Sequence, residues 1–273
     1  MTRSLSVIGG GHVGRVLGRL LGSRCAVLDV LTRSPSSARA AVDFIGAGVA
    51  ADGYAALRPA DIYLLSVGDD QIEPACAALA AAVPLRGAIV FHCSGALASD
   101  RLAAARAAGA HVASVHPIRS FADPAAVAAD FAGTFCGVEG DAEAVDALNA
   151  LLLALGARPV AIDAAAKTVY HAAAVFASNY LTTVLDAALR AYQAAGIPEQ
   201  TARELARPLA AETLANVFRL GAAPALSGPI ARGDMATVAR QEAAVAQWDA
   251  ATGELYHALI APTVELARRK HNR

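Results

Sequence analysis

Three glycines spaced G-x-G-x-x-G directly behind an apolar run constrain this chain more than any other feature. Leu5-Ser6-Val7-Ile8 reads as a buried strand. Gly9, Gly11 and Gly14 form the motif. Val13, Val16, Leu17, Leu20 and Leu21 then share one face of a helix. Gly9 permits the tight turn from strand to helix, Gly11 lets a pyrophosphate approach the backbone, and Gly14 lets the helix pack close to the sheet. The first-turn N–H groups and the helix dipole favour bound phosphate. Among 22 glycines the bare spacing says little. At a strand–helix junction it points to a dinucleotide held by Gly9, Gly11, His12, Val13 and Gly14.

With 273 residues there is room for two domains. Apolar residues reach 56% and charged residues only 17%, so a large core is expected and disorder is not. Much of the apolar content is alanine, which favours helix. The net charge is −1, and no basic run precedes Arg268-Arg269-Lys270, which argues against nucleic acid as a partner. That trio reads as a solvated helix end. No signal peptide is read, and no apolar run reaches spanning length without Gly, Pro or a polar break. No membrane contact and a cytoplasmic setting are therefore expected. Cys25, Cys76, Cys93 and Cys136 share no metal or redox spacing. They read as small buried hydrophobes, and no metal is expected.

Cys25 to Leu31 is a second strand, ending in Thr32-Arg33-Ser34-Pro35. In a dinucleotide-binding fold this end lies beside the adenosine ribose, where an acid selects NAD. Arg33 between two hydroxyl side chains suits a 2′-phosphate, hence NADP over NAD, although an exposed loop charge is the plain alternative. Asp29 is the competing acid, but it falls inside the strand. Ala47–Ala51, Asp61–Val67, Gly87–His92 and His111–Val115 read as further strands. The fourth ends in Gly68-Asp69-Asp70, with one aspartate expected to cap a helix over Ile72–Ala82. The fifth ends in His92-Cys93-Ser94-Gly95 and the sixth in His116-Pro117. Strands alternating with helices imply parallel pairing and right-handed crossovers, with ligands collecting at the carboxyl ends. Val67, Asp69, Ser94 and His116 fall at those ends.

Thr134–Val138, Ala142–Leu155 and Arg158–Ile162 read as one more strand-helix-strand unit of the same sheet. From Ala164 strand signals stop. Long Ala/Leu helices come next, over about Ala165–Ala195 and Glu199–Gly221, with Pro208 expected to begin or kink part of the second. A Pro/Gly-rich segment precedes a last helical region broken by Pro262. The expected domains are 1–163 and 164–273. On the first long helix Lys167, Tyr170, His171 and Asn179 approximate one face. Buried polar groups there need a partner, either a ligand or another helix. Lys167 or His171 could manage a proton. In Gly228-Pro229-Ile230-Ala231-Arg232-Gly233-Asp234, Arg232 could clamp an anionic group. Asp234 could line the substrate or simply cap the next helix.

Taken together, the opening glycine motif, Ser66-Val67-Gly68-Asp69, His92-Cys93-Ser94-Gly95-Ala96-Leu97, Ser114-Val115-His116-Pro117, Phe121, Tyr170-His171-Ala172-Ala173, Ser178-Asn179-Tyr180 and the Gly228–Asp234 stretch resemble a bacterial family of Rossmann-like proteins carrying the domain DUF2520. The family looks like a relative of the 6-phosphogluconate, β-hydroxyacid and pyrroline-5-carboxylate reductase group. The resemblance implies an α/β fold, a Rossmann doubly wound, mostly parallel sheet followed by an all-α C-terminal domain that often dimerises. Some relatives carry a catalytic Lys with Asn four residues later. Lys167 matches the Lys, but position 171 is His.

The combined expectation is an NADP-dependent oxidoreductase. It would pass a hydride between the nicotinamide and a small carbonyl, hydroxyl or imine substrate, the anionic ones included, in a cleft between the domains. Phosphate contacts fall to Gly9–Gly14 and 2′-phosphate contacts to Thr32, Arg33 and Ser34. Lys167 or His171 handles the proton, Asn179 orients the substrate, and a homodimer forms through the helical domain. The alternatives are an NADP-binding sensor or scaffold without turnover, or a reductase drawing on a deazaflavin.

Overall fold

The strand after Asp61 shows how the sheet is built. All four side chains of β4 (Ile62–Leu65) are buried. Ile62 and Leu64 face one core while Tyr63 and Leu65 face the other. A strand covered on both faces reads as an unbroken apolar run, and covering both faces takes helices on each side. The computed structural model describes residues 2–271. It divides into two compact units, Met1–Ala177 and Ser178–Arg273. The first unit extends beyond the compositional change at Asp163, because the next helix is pinned to the sheet by Lys167.

Among the described residues of the first unit, eight strands form one sheet in the order β3-β2-β1-β4-β5-β6-β7-β8. These are β1 (Ser4–Ile8), β2 (Ala26–Leu31), β3 (Val49–Ala51), β4, β5 (Ile89–His92), β6 (His111–Pro117), β7 (Phe135–Gly140) and β8 (Arg158–Ala161). α1 (His12–Gly22), α2 (Pro35–Ile45), α5 (Pro124–Ala129) and α6 (Ala142–Ala154) contribute to the core on one face. α3 (Ile72–Ala82) contributes to the other, beside α4 (Ala103–Ala107). Strand pairing is parallel except between β6 and β7, where Ser114 faces Glu139 and His116 faces Gly137. The alternation of strands and helices did not foretell that reversal. The fold is a Rossmann-type α/β sheet followed by an all-helical region.

β1 and β4 meet where the strand order reverses, and there the backbones nearly touch. Gly9 has φ +108°, and a Cβ on it would collide with the Ser66 carbonyl oxygen. A Cβ on Gly14 would collide with the Gly9 carbonyl oxygen. Both glycines are dictated by close packing.

α7 (Lys167–Val175) closes the first unit and runs through a π-helical turn, Phe176–Tyr180, into α8 (Leu181–Ala194). The whole run Ala164–Ala194 is long and apolar enough, by length and composition only, to cross a membrane, with mean hydropathy 1.3 in its most apolar window. Its first turn is nevertheless fixed into the sheet by a buried lysine.

The second unit holds α8, α9 (Glu199–Leu220), α10 (Ala222–Ala225), α11 (Gly228–Ala231), α12 (Met235–Trp248) and α13 (Ala250–His271). Pro208 lies inside α9 and Pro262 inside α13, so Pro262 does not break the last helical region as expected. The break falls at Asp249, whose carboxylate accepts the Thr252 N–H at 3.1 Å and binds the Arg190 guanidinium at 2.7 Å. α12 and α13 cross closely, since a Cβ on Gly253 would come within 2.6 Å of the Ala246 Cα.

Candidate active site

The carboxyl ends of β1, β4, β5 and β6 lie along one edge of the sheet, because these strands are parallel. At β1 the chain turns through Gly9 into α1. The N-terminus of α1 carries no side-chain cap. A Cβ placed on Gly11 would meet nothing within 4 Å. Gly11 therefore faces open space in front of free first-turn N–H groups, the cradle a diphosphate needs. His12 Nδ1 lies 2.6 Å from the Phe121 carbonyl oxygen, which ties the loop after β6 to the start of α1. Val13, half-buried, packs against the core. The residues present fit a dinucleotide.

At the end of β2 most of the polar side chains are held by hydrogen bonds within the chain. Asp29 is buried, and its carboxylate accepts the Arg58 backbone N–H at 2.8 Å and the guanidinium at 2.7 and 3.0 Å. It is sequestered from any ribose hydroxyl. Thr32 Oγ1 donates to the Ser34 carbonyl oxygen at 2.8 Å, and Ser34 Oγ caps α2 by accepting the Ser37 N–H at 3.2 Å. Both hydroxyls thus shape the turn. Arg33 is exposed and has no hydrogen bond or ion pair among the described residues.

At β4 and β5 the expected cap is absent. A short 3₁₀ turn, Asp69–Gln71, precedes α3, and Gln71 occupies the cap position without a side-chain capping bond. The Asp69 carboxylate instead accepts the Ser94 hydroxyl at 3.0 Å. Ser94 Oγ in turn accepts the backbone N–H groups of Ala96 and Leu97 at 3.2 and 2.9 Å. Val67 beside it is half-buried against the core. His92 is fully buried. Its Nδ1 accepts the Ser94 N–H at 3.1 Å, so its hydrogen sits on Nε2, 3.1 Å from the Ala98 carbonyl oxygen. Burial holds that imidazole down to about 4, so it is neutral at physiological pH.

Lys167 is the residue whose placement differs most from expectation. It is 2% exposed. Nζ donates to the Ser94 carbonyl oxygen at 2.9 Å and to Ser114 Oγ, and lies 3.6 Å from Glu139 Oε1. The ammonium thus makes two hydrogen bonds and sits in ion-pair range of a buried carboxylate. Burial pushes its pKa down while Glu139 opposes the shift. Glu139 also accepts the Ser99 backbone N–H and hydroxyl, each at 2.8 Å. Lys167 is thus a fixed cation that pins the loop after β5. Glu139 escaped the sequence reading, although a lone carboxylate inside the run Phe135-Cys136-Gly137-Val138-Glu139 was the available signal.

Beside this network three rings gather. His116 Nδ1 lies 2.9 Å from the Tyr170 hydroxyl, and the rings meet edge to face at 5.5 Å. The His171 ring lies 5.6 Å from that of His116. Two glycines make the room: a Cβ on Gly95 would strike His171 and lie 2.8 Å from the His116 ring, and one on Gly137 would strike the Tyr170 hydroxyl. Burial, then the charges of His171 and Lys167, hold His116 down to about 4, and burial holds the Tyr170 phenol up to about 12. Both are neutral across the physiological range.

Asn179 lies exposed on the π turn, its carbonyl oxygen accepting the Thr183 hydroxyl at 3.2 Å. Asp234 is the N-cap of α12, accepting the Thr237 N–H at 3.1 Å. Its bonds to Thr237 hold the carboxyl below its ordinary range, with the exposed Arg232 adding to the effect. The capping role offered as its alternative is the one observed.

Residues 134–263 match the family model described as a domain of unknown function, DUF2520. That stretch is similar to the DUF2520 family. No curated protein matches the sequence. Among solved structures, the chain is similar to a Bacteroides fragilis protein described as a candidate NADP oxidoreductase, with 21% identity, TM-score 0.79 and 99% and 98% of the two chains covered. It is also similar to a Thermotoga maritima protein, with 25% identity, TM-score 0.73 and 98% and 99% covered. A third is the reductive aminase of Aspergillus terreus, solved with NADPH and ethyl-5-oxohexanoate, with 18% identity, TM-score 0.71 and 99% and 95% covered. These likenesses carry the fold. The DUF2520 match begins just before β7, so the matched stretch supplies Glu139, Lys167, Tyr170 and His171. The glycine loop, Ser94 and His116 precede it.

Proposed function

We propose that this chain is an NADP-dependent oxidoreductase acting on a small carbonyl, hydroxyl or imine substrate. One observation carries the reading: Gly11 faces open space before the uncapped start of α1, at the point where the strand order reverses. Gly9–Gly14 would hold the diphosphate and Arg33 the 2′-phosphate. The pairing of Asp29 with Arg58 supports NADP over NAD, because it removes the acid that a ribose diol would use. When bound, the nicotinamide supplies or accepts a hydride. The chain contributes the polar edge formed by Asp69, Ser94, His116, Tyr170 and His171. Lys167 positions the Ser94 loop, and we assign it no direct part in proton transfer.

The burial of Lys167, which donates to Ser94 and Ser114 beside Glu139, favours a second reading, a protein that binds NADP without turnover. Calorimetry with NADPH and NADH, then NADPH oxidation with a panel of keto acids, aldehydes and imines, separates the readings. Binding with no oxidation across the panel supports the second. Absence of binding by either nucleotide overturns both.

We further propose a homodimer through the helical unit. Leu205, Leu209, Leu214, Phe218 and Leu220 of α9 are all exposed, Phe218 at 87%, and apolar faces of that extent are normally covered.

A further inference from the structure

We infer that Tyr170 is the catalytic residue that gives and takes the proton, with His116 as the positioning group behind it. This rests on the proposed oxidoreductase reading and names the proton carrier within it. Lys167 is 2% exposed and held inside the protein by Ser94, Ser114 and the paired Glu139 carboxylate, away from any ligand. His92 is closed on both ring nitrogens. Tyr170 is different. It is half-buried, its hydroxyl reaches the carboxyl end of β6, and its hydrogen-bond partner is a single imidazole nitrogen at 2.9 Å.

The surroundings are shaped for that hydroxyl. Gly137 leaves the space the phenol oxygen fills, and Gly95 leaves the space the imidazoles fill. In the tautomer with its hydrogen on Nδ1, His116 donates to the phenol oxygen and leaves the Tyr170 O–H free to face a ligand. The protons then balance. As a carbonyl or imine carbon gains the hydride from the dihydronicotinamide, the π pair moves onto the oxygen or nitrogen, which takes the Tyr170 proton. The phenolate regains a proton from His116 Nδ1 as water protonates Nε2 and leaves as hydroxide, and exchange with water returns the hydrogen from Nε2 to Nδ1 before the next turnover. In the oxidising direction each transfer reverses. Both groups are neutral at physiological pH, so the pair moves a proton without storing a charge between turnovers.

The test uses the full chain and the variants Tyr170→Phe and His116→Gln. Calorimetry with NADP+ should give dissociation constants within about 2-fold of the wild type for both, since neither side chain is assigned a phosphate contact. NADPH oxidation is then monitored with the cyclic imine pyrroline and with pyruvate. The kcat of Tyr170→Phe should fall by about 10²- to 10⁴-fold, the usual contribution of a general acid, with KM little changed. His116→Gln should fall less and shift the pH profile. A separate readout needs no turnover: the alkaline absorbance titration of the wild type minus that of Tyr170→Phe isolates one tyrosine. Its midpoint should move in His116→Gln and again when NADP+ binds. A Tyr170→Phe enzyme of wild-type kcat overturns the inference. So does a Tyr170 titration indifferent to both His116 and NADP+, which decides the matter if neither probe is reduced. Failure of NADP+ to bind the wild type overturns the oxidoreductase reading instead.

Discussion

Lys167 Nζ lies 3.6 Å from Glu139 Oε1, with the two side chains only 3% and 8% exposed. A cation and a carboxylate so fully removed from water depend on each other. Removing one partner of such a pair costs roughly 3–5 kcal/mol, because the other is left charged and buried. Lys167→Met and Glu139→Ala should each lower the urea-unfolding free energy by about that amount. The double variant should lose less than the sum, since it strands no charge. Additive losses would mean that the two do not act as a pair.

Replacing Arg33 by Ala should weaken NADP binding about 10- to 100-fold and leave NAD nearly unchanged, the loss expected of a charge-assisted hydrogen bond of about 1.5–3 kcal/mol. Calorimetry with both cofactors checks this. Equal losses would remove Arg33 from the 2′-phosphate.

Two alanine substitutions in the glycine loop should behave oppositely. Gly9→Ala places a Cβ against the Ser66 carbonyl at φ +108° and should lower Tm sharply. Gly11→Ala meets nothing within 4 Å, so Tm should hold while nucleotide affinity drops. A fully stable Gly11→Ala protein with unchanged affinity would separate the loop from the phosphate.

Stability should fall in mild acid. The folded His92 titrates at about 4 against an ordinary 6.5, so the unfolded chain binds a proton that the folded chain refuses. The native advantage is complete above about pH 6.5 and is lost as pH falls toward 4, by roughly 3 kcal/mol. His116 adds loss of the same sign. In His92→Gln, the drop in unfolding free energy over that window should be visibly smaller. An identical slope would refute the role of His92.

Phe218→Glu and Leu209→Glu should shift the mass measured by light scattering from dimer to monomer with the far-UV spectrum unchanged. A wild type that is monomeric at every concentration would end the dimer proposal.

Much of the sheet was legible because a doubly covered strand is a bare apolar run, as in Ile62–Leu65, and because glycine spacing betrays a turn that cannot carry side chains. The reversal of β7 was not legible. Strand direction depends on which way the chain returns after α5, and no local pattern records that. Helical spacing grouped Asn179 with Lys167 and His171, but no 3.6-residue periodicity announces the π turn Phe176–Tyr180 in which Asn179 lies. Pro262 carried too much weight, since it sits inside a helix while Asp249 makes the break. The partnership of Glu139 with Lys167 spans 28 positions of chain, from 139 to 167, and no periodicity joins residues that only the fold brings together.

Because β7 runs against its neighbour, its first residues, not its last, lie at the carboxyl end of β6, and Gly137 pairs with His116 there. The same glycine leaves the space that the Tyr170 hydroxyl fills. The reversed strand therefore seats the phenol beside the imidazole, and any bulkier residue at position 137 would unseat it.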